Sequence, residues 1–180
     1  MSRGSSKKSE RKVHLKAGGQ KRAVRRVSEV KIVVLGSVQK SSKDLYRATP
    51  VQRINVVRTG VPAAFVSELT TALKLPKERV YQQVGLARAT IDRKVRDEAM
   101  LSPDESERVV GLAQLIGQAQ TIVDESGEPH GFDAGKWVGE WLEHPHPALA
   151  GHPPGEYLDT AEGRALVSSL LAQQQSSAYA

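Results

Sequence analysis

The chain contains no cysteine, which excludes disulfides and thiolate metal sites and fits a reducing compartment. Aromatic residues make up 4% and hydrophobic residues 39% of its 180 positions, below the usual globular range, so part of the chain is not expected to pack into a core. No stretch approaches the roughly 20 apolar residues a membrane span needs. The N-terminus is positively charged, but no apolar h-region follows it, so a secretory signal peptide is not expected. The reading is a cytoplasmic protein with no membrane association, long enough for one ordinary domain or two very small ones plus a tail.

Charge is abundant and unevenly placed. The net charge of +6 averages over three blocks. Residues 1–45 hold 13 Lys and Arg against Glu10, Glu29 and Asp44. Residues 74–96 hold seven (Lys74, Lys77, Arg79, Arg88, Arg93, Lys94, Arg96) against two acids. Residues 97–180 reverse the balance, with Arg108, Lys136 and Arg164 against 14 acids. The first two blocks suit a polyanion and the last suits a basic partner.

Residues 1–29 show no sustained apolar period and read as a disordered basic arm. Val30, Ile32, Val33, Val34 and Leu35 form a short run that a strand would suit, and residues 36–50 return to Ser, Lys and Gln. Helical signals begin at Gly60-Val61-Pro62, with proline in a first turn and Val61, Phe65, Leu69 and Leu73 spaced by four. A second helix fits Lys77 to Val84 with Gly85 as its stop, and a third runs from about Arg88 to Asp97. Ser102-Pro103-Asp104-Glu105 starts a long amphipathic helix carrying Val109, Leu112 and Ala119. Trp137, Val138, Trp141 and Leu142 mark another short helix, and prolines make 144–156 an irregular loop. Asp159-Thr160-Ala161-Glu162 reads as a capping box with Asp159 as the cap of a last helix through Leu171. The fold class is all-α.

Residues 77–96 together read as helix, glycine turn, helix, with Val80, Val84, Leu86, Ile91 and Val95 pointing inward. That leaves Arg88, Thr90, Arg93 and Lys94 as candidate DNA-binding residues. Arg suits bidentate pairing with guanine, and Lys and Thr suit phosphates or a thymine methyl. Tyr81 stands where such a motif ordinarily carries a small residue, and Ala87 where Ser or Thr would cap the reading helix.

Pro147-Ala148-Leu149-Ala150-Gly151, Pro154, the run Tyr157-Leu158-Asp159-Thr160-Ala161-Glu162-Gly163-Arg164 and a terminal Tyr179 closely resemble the toxin-binding domain of Xre/MbcA/ParS-type antitoxins. That family's pattern reads NPALGG-x-x-P-x-x-LLDTEEGR…YGVY, and His146 and Ala150 depart from its first Asn and first Gly. Gly85-Leu86-Ala87-Arg88-Ala89-Thr90-Ile91-Asp92-Arg93 is similar to the family's Xre-like helix-turn-helix. The resemblance covers roughly 50–180 and divides the chain into an arm (1–49), a helix-turn-helix domain (50–117) and a helical toxin-binding domain (118–180). It implies a bacterial antitoxin with no catalytic activity and no cofactor, partnered with an NAD-consuming RES-domain toxin whose active site it covers. It further implies repression of its own promoter by a homodimer, on the nucleoid when bound to DNA. Trp141, Leu149, Leu158, Asp159, Thr160, Gly163 and Tyr179 are the residues expected at or near the toxin, with core packing the alternative for the tryptophans and Leu158.

Two other readings start from the residues alone. His130, His144, His146 and His152 form a loop cluster, but nothing completes a metal set beside them. A stand-alone helix-turn-helix repressor would use the arm and the motif and leave the acidic segment without a role.

Overall fold

The computed structural model describes residues 37–127 and 130–178, together with Met1. Among the described residues the chain is all-α, with eight α-helices, two short 3-10 turns and one isolated antiparallel bridge. The rest of the basic arm, including the apolar run from Val30 to Leu35, lies outside the described residues.

Helix α1 (Val38–Arg47) falls in the stretch that composition assigned to the arm, and it belongs to the folded body instead. Ser37 caps it, and Val38, Ser41, Ser42 and Leu45 form its buried stripe. The middle of that stripe is serine, so no apolar period announces the helix. Small residues are what the packing requires. A methyl group on Gly117 would overlap the carbonyl oxygen of Ser42, so α1 and α6 (Pro103–Ser126) meet backbone to backbone. An ion pair between Lys43 and Asp124 ties the same two helices.

Helix α2 (Pro50–Thr59) also precedes the first helical signal read from the sequence. Thr49 and Gln52 form a reciprocal capping box, with bonds of 3.3 and 2.8 Å, and Pro50 stands in the first turn. None of its residues is buried, so no apolar face marks it in the sequence.

The segment expected to open a helix at Pro62 does something different. Pro62 pairs with Met100 in the isolated bridge, Leu101 N–H donates to the Val61 carbonyl at 2.8 Å, and Ala63 N–H donates to Ala99 at 3.0 Å. This pairing ties together the two ends of a unit formed by α3 (Ala64–Leu73), α4 (Lys77–Gln83) and α5 (Arg88–Arg96). The buried Ser106 hydroxyl accepts from Val61 N–H at 3.0 Å and fastens the same point to α6.

Helix α6 starts where expected, with Ser102 and Glu105 in a second capping box behind Pro103. Its burial differs from a one-sided stripe. Val109 with Val110, Leu112 with Ala113, and the run from Leu115 to Ala119 are all buried, as befits a helix wrapped on several sides. α1 and α2 cover it on one side, and α7 (Ala134–Glu143) and α8 (Ala161–Ala178) cover it on others. The apolar cluster runs without a break from Val38 to Leu171. The division expected between residues 117 and 118 falls inside this one continuous helix.

Candidate DNA-reading and partner-binding surfaces

Helices α4 and α5 are joined by a turn whose hydrogen bonds follow from one glycine. Gly85 has φ +65°, and its N–H donates to the Gln82 carbonyl while Leu86 N–H donates to Tyr81 at 2.8 Å. These are the two bonds of a Schellman motif, which leaves the next helix free to leave at a steep angle. Val80, Val84, Leu86 and Ile91 fill the angle as expected, all of them buried. Tyr81 is also buried, and its hydroxyl donates to Asp92 Oδ1 at 3.3 Å, so the large residue bonds α4 to α5 across the motif. Burial first, and then the Asp92 carboxylate, push the Tyr81 hydroxyl up to about 12. Ala87 gives α5 no side-chain cap.

The four residues expected to read DNA do not share one environment. Arg88 is exposed but paired with Glu78 at 3.1 Å and with Asp92 at 3.5 Å. The same Asp92 accepts from Lys77, and that bond holds its carboxyl below the usual range, with Tyr81 and Arg88 adding to it. Thr90 is half-buried. Lys94 turns toward α6 and pairs with Glu105, both side chains being mostly covered. Burial alone would raise Glu105, but Lys94 and the backbone and hydroxyl of Ser102 bring it below its ordinary value. Arg93 is fully on the outer face, and neither it nor the exposed Arg96 three residues on has an ion-pair partner among the described residues. Ala89 completes that face one turn before Arg93. Arg96, which the sequence showed only as part of a basic block, thus joins the outward-facing group.

A second surface is built on α7 by glycine spacing. Gly135, Val138, Gly139 and Leu142 are buried together on one side. A methyl on Gly135 would come within 2.7 Å of the Ala72 carbonyl, and one on Gly139 would overlap that of Leu73. The helix therefore lies backbone to backbone on α3 and presents its aromatic side outward. Trp137 and Trp141 stack there with ring centroids 6.0 Å apart and planes 8° from parallel. Phe132 extends the row at 6.3 Å from Trp137, and His146 stands edge-on to Trp141 at 6.2 Å. All four are half-buried. The Trp141 Nε1–H is buried and has no acceptor among the described residues, an unmet donor that a native protein rarely leaves without a purpose.

The loop after α7 is tightly organised. His146 Nδ1 accepts from Ala148 N–H at 3.2 Å and caps the turn Pro147–Leu149, the job an asparagine at that position does with its side-chain oxygen. Ala150 then adopts φ +53°, a left-handed conformation that favours glycine. These two departures from the family pattern thus occupy positions with a definite backbone task. Among the described residues no three His, Asp or Glu side chains gather into a metal-binding group.

Several residues expected at the partner surface lie inside. Leu149 and Leu158 are buried, and Gly163 is buried because a methyl there would overlap the Tyr157 carbonyl oxygen. Thr160 is the cap of α8: its Oγ1 accepts from Gly163 N–H at 3.0 Å, and its carbonyl receives Arg164 N–H. Asp159, expected as that cap, is exposed one residue earlier, beside Gly85 of the helix-turn-helix. Arg164 donates to the Leu158 carbonyl at 3.0 Å and pairs with Glu107 at 2.9 Å, with Gly111 leaving room for its stem over α6. Trp141 is at the surface edge, and Tyr179 lies outside the described residues. Trp137 was legible only as an apolar position, since its exposure depends on how α7 is rotated.

The acidic block is also spent differently from its sum. Asp104, Glu105, Glu107, Asp124, Glu140 and Glu143 are each paired with a Lys or Arg of the same chain. Asp104, Glu107 and Glu140 pair with Arg108, Arg164 and Lys136 of the same segment, whereas Glu105, Asp124 and Glu143 are met by cations from earlier in the chain. Three of the 11 excess negative charges of residues 97–180 are therefore spent within the protein.

Comparison with known proteins agrees with this geometry. Residues 52–114 match the model of the antitoxin Xre-like helix-turn-helix domain. Residues 130–176 match that of the antitoxin Xre/MbcA/ParS C-terminal toxin-binding domain. The Prs ADP-ribosylating antitoxin of Sphingobium sp. (strain YBL2) is 46% identical over 138 residues, which cover 77% of this chain and 87% of that protein. The chain belongs to the Xre/MbcA/ParS antitoxins, with a helix-turn-helix followed by a C-terminal toxin-binding domain.

Proposed function

We propose that this antitoxin neutralises an NAD-consuming RES-domain toxin by covering its active site, and that as a homodimer it represses its own promoter. The observation that carries the first half is the aromatic row on α7, with its stacked Trp137 and Trp141 and the buried unmet donor of Trp141. Rigid aromatic side chains at a half-covered edge are the usual anchors of a protein interface. The similar Sphingobium protein carries ADP-ribosylation in its name, and ADP-ribosylation takes its group from NAD. The exposed loop residues Pro147 and Ala148, which follow His146, extend the same surface, and Asp159 is exposed beside Gly85 of the helix-turn-helix. Leu149, Leu158 and Gly163 act through packing inside this half, and Thr160 as the cap of α8.

The DNA half rests on Arg93 and Arg96, which face outward from the reading helix with no internal partner among the described residues. Arg88 and Thr90 flank them, whereas Lys94 contributes through its pairing with α6. Two half-sites call for two reading helices, hence a dimer.

The test expresses the adjacent reading frame with and without this chain, and follows cellular NAD and ADP-ribosylated protein. NAD should fall with the partner alone and hold on co-expression. Trp137→Ala with Trp141→Ala should weaken the complex at least about 30-fold, the equivalent of about 2 kcal/mol. NAD that never falls, or falls equally in both, removes the toxin assignment. In the same purified chain, Arg93→Ala with Arg96→Ala should weaken binding to the upstream duplex and reduce its salt slope by about two. An unchanged slope removes this face from the DNA contact.

A further inference from the structure

The first helix of the helix-turn-helix is gripped by a residue of the other half of the protein. Glu143 ends α7, two residues beyond Trp141. Its carboxylate accepts from Arg79 Nε at 2.9 and 3.0 Å and from Gln83 Nε2. Arg79 and Gln83 stand one turn apart on α4, so one carboxylate spans most of that seven-residue helix.

Gln83 is driven deep for a polar residue. It is 4% exposed, and its Oε1 is buried with no partner among the described residues. Gly155 lies against its amide so closely that any side chain there would collide with both Nε2 and the Leu142 carbonyl. The C-terminal half thus holds a slot, closed by Glu143 and Gly155, into which α4 is plugged. Just past the C-terminus of α4, Arg108 from α6 donates to the Gly85 carbonyl at 2.7 Å. Helix α5 is tied to α4 through Asp92, which accepts from Lys77 and from the Tyr81 hydroxyl, and through the Arg88–Glu78 pair, so the direction of α5 follows that of α4.

We infer that Glu143, a residue of the toxin-binding half, is a positioning residue for DNA recognition: by holding Arg79 and Gln83 it sets the tilt of α4 and therefore the presentation of Arg93 and Arg96. The inference rests on the DNA-binding reading above. It touches no DNA itself. Charge alone predicts the opposite of positioning, because removing a carboxylate from a DNA-binding protein strengthens its attraction to phosphate.

That opposition makes the test decisive. Full-length wild type and Glu143→Gln are titrated with the duplex immediately upstream of the reading frame, and with a scrambled duplex of the same composition, at several salt concentrations. The active fraction is fixed by stoichiometric titration, so each Kd refers to folded protein. Glu143→Gln should weaken specific binding about tenfold, equivalent to about 1.4 kcal/mol, with the salt slope unchanged and the scrambled duplex bound as before or more tightly. Gln83→Met, which keeps the packing and removes the amide, should shift the specific Kd in the same direction. Arg79→Met combined with Glu143→Gln should be no worse than either alone, as expected of partners in one interaction. Specific binding that is equal or tighter in Glu143→Gln overturns the inference while leaving the DNA reading intact. A lower melting temperature with an unaltered Kd of the active fraction overturns it too, because that is what a merely stabilising residue does. A wild type that does not distinguish the two duplexes overturns the DNA reading and the inference with it.

Discussion

Replacing Gly163 with alanine places a methyl group where the carbonyl of Tyr157 already stands. The added carbon would overlap that oxygen and sit 2.8 Å from its carbonyl carbon and 2.9 Å from Thr160 Oγ1. The obstacle is backbone, so it cannot swing aside as a lysine end would. It belongs to the turn Pro154–Tyr157, and the next residue, Leu158, is 0% exposed and offers its carbonyl to Arg164. Making room means moving that turn off α8 or lifting α8 from its cap at Thr160. Overpacking of this kind costs about 1–3 kcal/mol, and the better helix propensity of alanine returns less than about 1 kcal/mol. A net loss of about 2 kcal/mol corresponds to a Tm lower by about 4–8 °C for a chain of this size. Thermal and urea unfolding followed by circular dichroism would show it, the urea midpoint falling with an unchanged slope. Affinity for the toxin, measured well below Tm, should suffer less than for Trp137→Ala with Trp141→Ala. A Gly163→Ala variant that melts with wild type and yet no longer binds the toxin would refute the packing argument. It would make Gly163 a contact residue.

Other substitutions test other joints. Ala150→Gly should stabilise by about 0.5–1 kcal/mol, because the left-handed backbone at φ +53° costs alanine more than the added chain entropy costs glycine; a lower Tm would refute this. Gly117→Ala should destabilise by about 1–3 kcal/mol by forcing α1 away from α6, and hydrogen exchange should show the amides of α1 opening first. Tyr81 ties α4 to α5 as a neutral phenol, so its raised folded value near 12 against 10.0 makes a contribution that is complete below pH 10 and lost as pH rises toward 12. The difference in 295 nm absorbance between wild type and Tyr81→Phe should therefore titrate near pH 12. A midpoint near 10 would mean that the hydroxyl is free.

The local signals in this chain were strong where one residue type has one cause. Gly85 ended α4 in a left-handed turn, Ser102-Pro103-Asp104-Glu105 began α6, and the four-residue spacing of Phe65, Leu69 and Leu73 marked α3. The order of helices from α3 onward, the all-α class and the family motif around Leu158-Asp159-Thr160 could all be read without a structure. Helix α1 could not, because its buried stripe is centred on two serines whose value lies only in their smallness against Gly117. The capping residue of α8 was misassigned by one position, since Asp159 and Thr160 are equally good caps and only the turn before them decides which side chain meets the Gly163 amide.

Block charges were the least transferable part of the sequence. Lys77, Arg79, Arg88 and Lys94 of the basic block each face an acid, two of them distant in sequence. Which cations remain for DNA is therefore a property of packing. The same holds for the conserved-looking motif residues. Sequence resemblance marked Leu149, Leu158 and Gly163 as important, but only the tertiary structure shows that they are interior while Trp137 and Trp141 stand half-exposed. A sequence determines where helices start, stop and carry apolar residues, because those preferences act within a turn or two. Which face of each helix meets water depends on partners tens of residues away, and here on the glycines that let backbones touch.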